Sequence, residues 1–519
     1  MRQWRWIGVL AGLAGVGAGE LVAAFVRQGS SPYAAVGDAV VDLTPNSVKD
    51  LAIAVFGPAD KLVLLAGVAL VLAVAAAFIG QLAETRPNLA MLGVGLFGVV
   101  GVLAAVTRPG AGVMDAVPSV IGAAVAGATL RGLGGTIRRH QEWADGVPTE
   151  DAGAAAGGEA GYGEYGRRRL LVSGGLVAAG AVGAVALSRW LVLDRYGAAR
   201  SRAGLTVPTP GSTAPPPVRD AATDIQGLSR FYTPNDSFYR VDTALTVPQI
   251  AAEDWKLRIH GMVDQPVTIT YRQLLERSMI ERDITIACVS NPVGGGYVGN
   301  ARWIGVPVKG LLEQVGVHRG ADQVVCRSYD GMTIGTPTAA LTDGRDAMLA
   351  VAMNGDLLPL DHGFPVRMVV PGLYGYVSAC KWIVDMELTT FDAYDAYWIK
   401  QGWAQQAEIK TASRIDTPRD GARLSAGVVN VAGVAWAQHR GIDRVEVRVG
   451  DGDWQTAELA EGPVDTWRQW IFRWHAKPGV HKLRVRATDG RGDRQTGASQ
   501  GVYPSGATGW HTVEVTVNG

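Results

Sequence analysis

Thr285-Ile286-Ala287-Cys288-Val289-Ser290-Asn291-Pro292-Val293-Gly294-Gly295-Gly296 joins an apolar run to a proline- and glycine-rich loop. The run reads as a buried strand ending at Ala287, and the loop opens just after Cys288. A thiolate in that place is well suited to a soft metal centre. Alone, a cysteine after a strand is more often a buried hydrophobe. Cys288 has company further along the chain: Met353-Asn354-Gly355, His362-Gly363-Phe364-Pro365-Val366-Arg367, Pro371-Gly372 and Lys381-Trp382.

The bulk properties set bounds. A chain of 519 residues is too long for one core, so about three folding units are expected. Net charge is zero, which predicts no nucleic-acid partner. The three cysteines, Cys288, Cys326 and Cys380, form no C-x-x-C pattern, which argues against a zinc knuckle or a c-type haem. So low a count also argues against a disulfide-stabilised scaffold.

Five apolar stretches are long enough to span a bilayer, which takes roughly 20 helical residues. They lie near Trp6–Val26, Leu62–Gln81, Leu89–Val106, Val117–Ile137 and Leu170–Leu193. Their many Gly and Ala residues suit close helix packing in lipid. Arg2 and Arg5 precede the first stretch, and Arg138, Arg139, Arg167, Arg168 and Arg169 lie between the fourth and fifth. Asp38, Asp42, Asp50 and Asp60 fall in the loop after the first. This asymmetry puts the N-terminus and the 140–169 linker in the cytoplasm and everything after Leu193 outside. The Gly/Ala/Glu-rich linker reads as disordered. Arg167-Arg168-Arg169 before an apolar run also resembles a twin-arginine export signal, a route that carries folded cargo. Glu20 within a span is a functional candidate, or a carboxyl near a helix end.

Beyond the fifth stretch, residues 194–223 are Pro-rich and predict a semi-extended tether. Trp255–Gly261 reads as a strand, Thr270 as the N-cap of a short helix, and Val308 onward as another helix. Few strands alternate evenly with helices, so an α+β domain is expected over 224–392. From 393 to 519 the pattern alternates, as in Val445–Val449, His481–Ala487 and Val513–Val517. Short strands at this spacing predict an immunoglobulin-like β-sandwich.

Cys288, Gly299-Asn300-Ala301-Arg302-Trp303-Ile304-Gly305 and the downstream motifs occur in the order and approximate spacing of the sulfite oxidase family. From about Asp224 to the C-terminus the chain resembles that family's molybdopterin-binding domain followed by its sandwich domain. The implied architecture is multi-domain: an α-helical transmembrane bundle (residues 1–139, with a fifth helix at 170–193), the α+β molybdopterin domain and the sandwich. By this resemblance Cys288 is the molybdenum ligand and a catalytic residue. Arg367 grips the cofactor's phosphate, since a guanidinium fork suits phosphate oxygens. His362 hydrogen-bonds the cofactor. Lys381, with the backbone near Ala379 and Cys380, holds the pterin–phosphate arm. Ser328, Tyr239 and Arg240 also match cofactor-binding positions.

The resemblance implies oxygen-atom transfer at a molybdenum–oxo centre, with one Mo-molybdopterin per chain. Sulfite is the leading substrate by family. Yet Val289–Val293 lack the arginines that suit an anion, and the family's active-site tyrosine falls at about Met332, which leaves a sulfoxide as the rival. Arg440, in a sandwich-domain turn, either points back at the site as a catalytic arginine or is a solvated turn residue. The eight histidines lie outside the five apolar stretches, so no haem is expected. Electrons would pass to a separate carrier, a cytochrome or a quinone-linked protein, and a homodimer is possible through the sandwich domain. From a different class, the chain could be a non-catalytic envelope receptor presenting an immunoglobulin-like module.

Overall fold

The computed structural model describes residues 2–44, 48, 55–56, 60–108, 111–145, 159–195 and 197–519. The chain forms two compact units: residues 1–197 with 244–247, and residues 198–243 with 248–519.

The first unit is helical. Five of its helices contain stretches long and apolar enough to cross a membrane: Gln3–Val26, Lys61–Thr85, Pro87–Val106, Val113–Arg138 and Val172–Val192. Small residues set their packing, as expected for helices in lipid. A Cβ on Gly8 would collide with the backbone at Ala76 and Gly80, and one on Gly15 would sit 2.7 Å from the Gly122 carbonyl oxygen. Large apolar side chains such as Leu70, Val74, Phe78, Leu92 and Leu96 face away from this packing and stand exposed.

Two features differ from the sequence expectation, and Glu20 takes one of its two expected readings. The loop after the first span contains a helix, Pro32–Leu43, opened by Ser31 as N-cap with Pro32 at the first turn. Glu20 serves that turn: its carboxylate accepts from the Ser31 hydroxyl at 2.5 Å and from the Tyr33 amide at 3.3 Å. This is the helix-end reading of Glu20. The second difference is the linker expected to be disordered over 140–169. Its ends are helical, because one helix runs on to Asp145 and the next begins at Glu159. Good helix formers such as Gln141, Glu142 and Ala144 propagate the turn past the apolar span. That extension also carries His140 into a helix, two residues beyond the span. The middle of the linker, 146–158, lies outside the described residues.

The second unit starts with a segment read from sequence as a tether. It opens with a short helix, Ala198–Ala203, and beyond that is extended but docked. The Gly211 amide donates to the Met279 carbonyl at 2.9 Å, the Glu281 amide donates to the Ser212 carbonyl at 2.8 Å, and Arg302 donates to the Pro215 carbonyl at 2.8 Å. Prolines at 208, 210 and 215–217 hold it extended, so it adds to a sheet edge at little entropic cost.

Two sheets build the α+β part. One has the strand order Ile280–Ala287, Val298–Pro307, Met348–Met353, Asp356–Leu357, with Arg367–Val369 also pairing Met348–Met353. The other runs Val267–Thr270, Lys256–Gly261, Ile383–Thr389, Gln323–Ser328, Thr333–Pro337. The pair Lys256–Gly261 and Ile383–Thr389 is parallel, and the other pairs in these sheets are antiparallel. Thr270 and Gln273 form the expected helix start as a capping box.

Residues 412–518 form two further sheets, of four and five strands, facing one another across a shared core. Val431, Ala435, Trp470 and Trp474 of one meet Val445, Val447, Leu483, Val485, Val513 and Val515 of the other. The alternating pattern of His511–Asn518, buried at every second residue, is what placed this strand from sequence.

Candidate functional site

Cys288 immediately follows the strand Ile280–Ala287, half-buried at the mouth of a tight loop. Its amide donates to the Tyr297 carbonyl at 2.9 Å, and the Asn291 side chain accepts from the Tyr297 amide at 2.8 Å. The loop needs its glycines. Gly294 has φ +77, and a Cβ there would collide with the His511 ring. Arg414 ties the loop to the sandwich by donating to the Gly295 carbonyl at 2.7 Å. Burial raises the Cys288 thiol pKa, and hydrogen bonds with the Ser290 backbone and hydroxyl partly offset this.

Tyr239 interacts with both this thiol and Arg367, one of a set of buried cations. Arg367 is 4% exposed. Its guanidinium lies over the Trp303 ring, 5.1 Å from the centroid, and donates to the His362 carbonyl at 3.2 Å. Its Nε has no partner, and among the described residues no carboxylate pairs with it. Burial depresses its pKa to about 10. A buried charge without a counter-ion costs several kcal/mol. Such a group fits an anion supplied from outside the chain.

His362 is buried, with Nε2 3.1 Å from the Asn235 carbonyl oxygen. A carbonyl only accepts, so Nε2 carries the proton and Nδ1 keeps its lone pair. Burial, with Arg367 nearby, lowers its pKa to about 4. Lys381 contacts Asp242 at 2.6 Å and the Asp361 carbonyl at 3.2 Å, and burial lowers its pKa to about 8 despite Asp242. Gly363, at φ +109, lets these groups converge, since a Cβ there would sit 3.0 Å from Arg367 Cβ and 3.2 Å from Lys381 Cα.

The other residues expected from sequence take different places. Tyr239 lies by Cys288 and Arg367, and burial followed by the thiolate's charge raises its pKa. Arg240 is exposed and pairs with Asp242 at 3.0 Å, so it reaches the site only through the carboxylate it shares with Lys381. Ser328 is buried with an unpartnered hydroxyl, in register with Ile383 and so beside Lys381-Trp382. The Ala379 amide is used on the Gly375 carbonyl and the Cys380 carbonyl accepts from the Met368 amide, so these backbone groups mainly shape the turn. Cys380 is a buried thiol whose pKa burial raises.

Arg440 is neither a free arginine nor a solvated one. Asp489 holds it at 2.9 Å, and it donates to the Ile409 carbonyl at 2.7 Å. It lines a cavity of about 360 Å³ whose wall includes Ala287 and Asn291, on either side of Cys288, with Tyr374 and Lys410. Sequence reading missed Asp242, Tyr374 and Lys410. None sits in a motif, and each is placed by a long-range fold contact.

Among the described residues no group of three or more His, Cys, Asp or Glu side chains could hold a metal. A metal at Cys288 would therefore take its other ligands from an organic cofactor. The unpartnered Arg367 Nε and Ser328 hydroxyl, beside buried Lys381, fit one that carries a phosphate.

Residues 244–398 match the oxidoreductase molybdopterin binding domain. The chain is 30% identical over 309 residues to mitochondrial sulfite oxidase of Drosophila melanogaster, covering 50% of this chain and 53% of that one. It is 28% identical over 287 residues to sulfite oxidase of Gallus gallus, covering 47% and 62%. The chain thus spans just over half the length of these relatives. The sulfane dehydrogenase SoxCD structure from Paracoccus pantotrophus shares the fold, with a TM-score of 0.50 and 23% identity, covering 56% of this chain and 82% of that one. Over residues 244–398 the chain carries the oxidoreductase molybdopterin binding domain, and its similarity to sulfite oxidases supports a molybdopterin oxidoreductase of that family.

Proposed function

We propose that the protein is a membrane-anchored oxidoreductase that transfers an oxygen atom to or from a small sulfur-containing substrate, with sulfite the leading one. The observation that carries this is Arg367, a buried guanidinium with no counter-ion among the described residues, near the Cys288 thiol. When bound, the molybdopterin supplies oxygen-atom transfer coupled to a two-electron change at molybdenum.

The chain's own residues bind and orient. Cys288 supplies a thiolate from the end of a rigid strand, and binding a metal overcomes the raised pKa by displacing the proton. Arg367 and Lys381 neutralise phosphate, with Asp242 fixing Lys381. His362, neutral with the proton on Nε2, presents Nδ1 as an acceptor. Tyr239 and Trp303 cover the recess and exclude water, which strengthens every charge contact inside. Arg440 acts through Ile409 and is a positioning residue.

The five apolar helices anchor the chain, and their flanking arginines orient the catalytic unit to the outside. The fifth follows Arg167 and Arg168 and uses the twin-arginine route. Changing both to Lys would block outside exposure of the catalytic unit, and unchanged exposure would overturn that part. The two-sheet C-terminal part is of immunoglobulin type and supports a homodimer. Electrons leave to a separate cytochrome or quinone-linked carrier.

The test is sulfite-dependent reduction of ferricyanide by the full chain, run beside reduction of a panel of sulfoxides. Turnover with either class, lost in Cys288→Ser, is expected. No turnover with any of them in molybdenum-loaded protein would overturn the reading and favour a binding module.

A further inference from the structure

The strand Ile280–Ala287 lies at the edge of its sheet. One side pairs with Val298–Pro307, and Ser212 of the docked segment bridges to Ile280 at the start of the other. An edge left open exposes unpaired backbone groups. Further along this edge the sandwich closes on Thr285. The Thr285 amide donates to the Asp465 carbonyl at 2.9 Å, and the Gln438 side-chain amide donates to the Thr285 carbonyl at 2.8 Å. The Thr285 hydroxyl accepts from the Trp467 amide at 2.7 Å and donates to the Asn300 side-chain oxygen at 3.0 Å. Every polar group of this one residue is used, and three of its four partners come from the sandwich.

The network is sealed from water and closes on itself. Thr285, Asn300, Gln438 and Trp467 are all buried. The Asn300 side-chain nitrogen and the Trp467 indole both donate to the Phe231 carbonyl at 2.9 Å. The Thr233 amide donates to the Asn300 carbonyl at 2.8 Å, which ties in the segment that leads on to Tyr239. In a low dielectric such bonds strengthen one another and specify a single arrangement. Cys288 lies between two ties of this kind. Thr285 precedes it on the strand, and Gly295 follows it in the loop, where the Gly295 carbonyl accepts from Arg414. Both ties come from the sandwich.

We propose that Thr285 and Gln438 are positioning residues for the Cys288 thiolate, so that the sandwich sets the direction in which its Sγ meets a bound metal. The inference rests on the reading of Cys288 as the metal ligand. A strand that ends in a ligand can pivot where its edge is open. The sandwich removes that freedom just before the strand gives way to the glycine-rich loop. Groups that orient a ligand in this way are worth about ten- to a hundredfold in metal affinity or activity.

Thr285→Val keeps the shape of the side chain and deletes its hydroxyl, and Gln438→Met deletes the donor to the Thr285 carbonyl. In molybdenum-loaded full chain, Thr285→Val should shift the thiolate-to-molybdenum absorption band and lower kcat about tenfold with KM for sulfite unchanged. Thr285→Ser should restore both. Val485→Ala, in the sandwich core, should lower the melting temperature and leave the band in place. In cofactor-free full chain, iodoacetamide should alkylate Cys288, the half-buried thiol of the three, several-fold faster in Thr285→Val and Gln438→Met than in the original or Thr285→Ser. An unmoved band with unchanged Cys288 alkylation in Thr285→Val and Gln438→Met, or the same changes in Val485→Ala, would overturn the proposal. Alkylation that depends on Thr285 in preparations that never bind molybdenum would support the positioning while contradicting the enzymatic reading.

Discussion

Arg367 lies over the indole of Trp303, its guanidinium carbon 5.1 Å from the ring centroid, with no carboxylate beside it among the described residues. A buried cation–π contact of this kind returns about 2 kcal/mol. It does not offset the several kcal/mol of burying the charge. The pair therefore leaves a buried charge uncompensated in the empty protein.

Replacing the cation should separate stability from binding. In Arg367→Met, protein made without cofactor should be as stable as the original or more stable, by up to about 2 kcal/mol. Cofactor retention should fall tenfold or more, the equivalent of about 1.4 kcal/mol per decade. Urea denaturation and pterin analysis of the same samples check both halves.

The legible part of this site was a local pattern. Cys288, His362 and Arg367 each sit in or beside a turn whose Gly or Pro is visible in sequence, Lys381 is marked only by the Lys381-Trp382 pair, and the structure brings His362, Arg367 and Lys381 together. Asp242 and Lys410 carry no such punctuation. Their partners lie 139 and 95 residues away, Lys381 for one and Ser505 for the other, and only the tertiary fold joins them. The strands of the C-terminal part were legible because burial alternates with period two. The docking of residues 211–215 was not, because an extended proline-rich segment reads the same whether free or paired.

Gly363→Ala should disturb both cations at once. The residue has φ +109, and the added methyl meets Arg367 and Lys381. A cost of about 1–3 kcal/mol is expected from strain and crowding. Loss of cofactor should exceed what that destabilisation explains. Thermal melting against pterin content checks it.

His362 predicts an acid-sensitive empty protein. Its folded pKa of about 4 lies below the usual 6.5. Between these values the unfolded chain binds the proton and the folded one does not, so stability is full above about pH 6.5 and falls as pH drops toward 4. The loss is at most about 3 kcal/mol. His362→Asn should flatten this part of the profile, measured by urea denaturation from pH 4 to 7.

The second unit should stand alone. Residues 198–519 hold their own core, so this fragment should be soluble without detergent, while the full chain should need it. Membrane fractionation of the two proteins checks this.

The central claim is that the recess of Cys288, His362, Arg367 and Lys381 holds Mo-molybdopterin. Molybdenum and pterin measured together, on full chain purified from a host that makes the cofactor, test it most directly. The account predicts about one molybdenum and one pterin per chain, with pterin lost in Arg367→Met and metal lost in Cys288→Ser. Well-folded protein from that host with neither molybdenum nor pterin would contradict it.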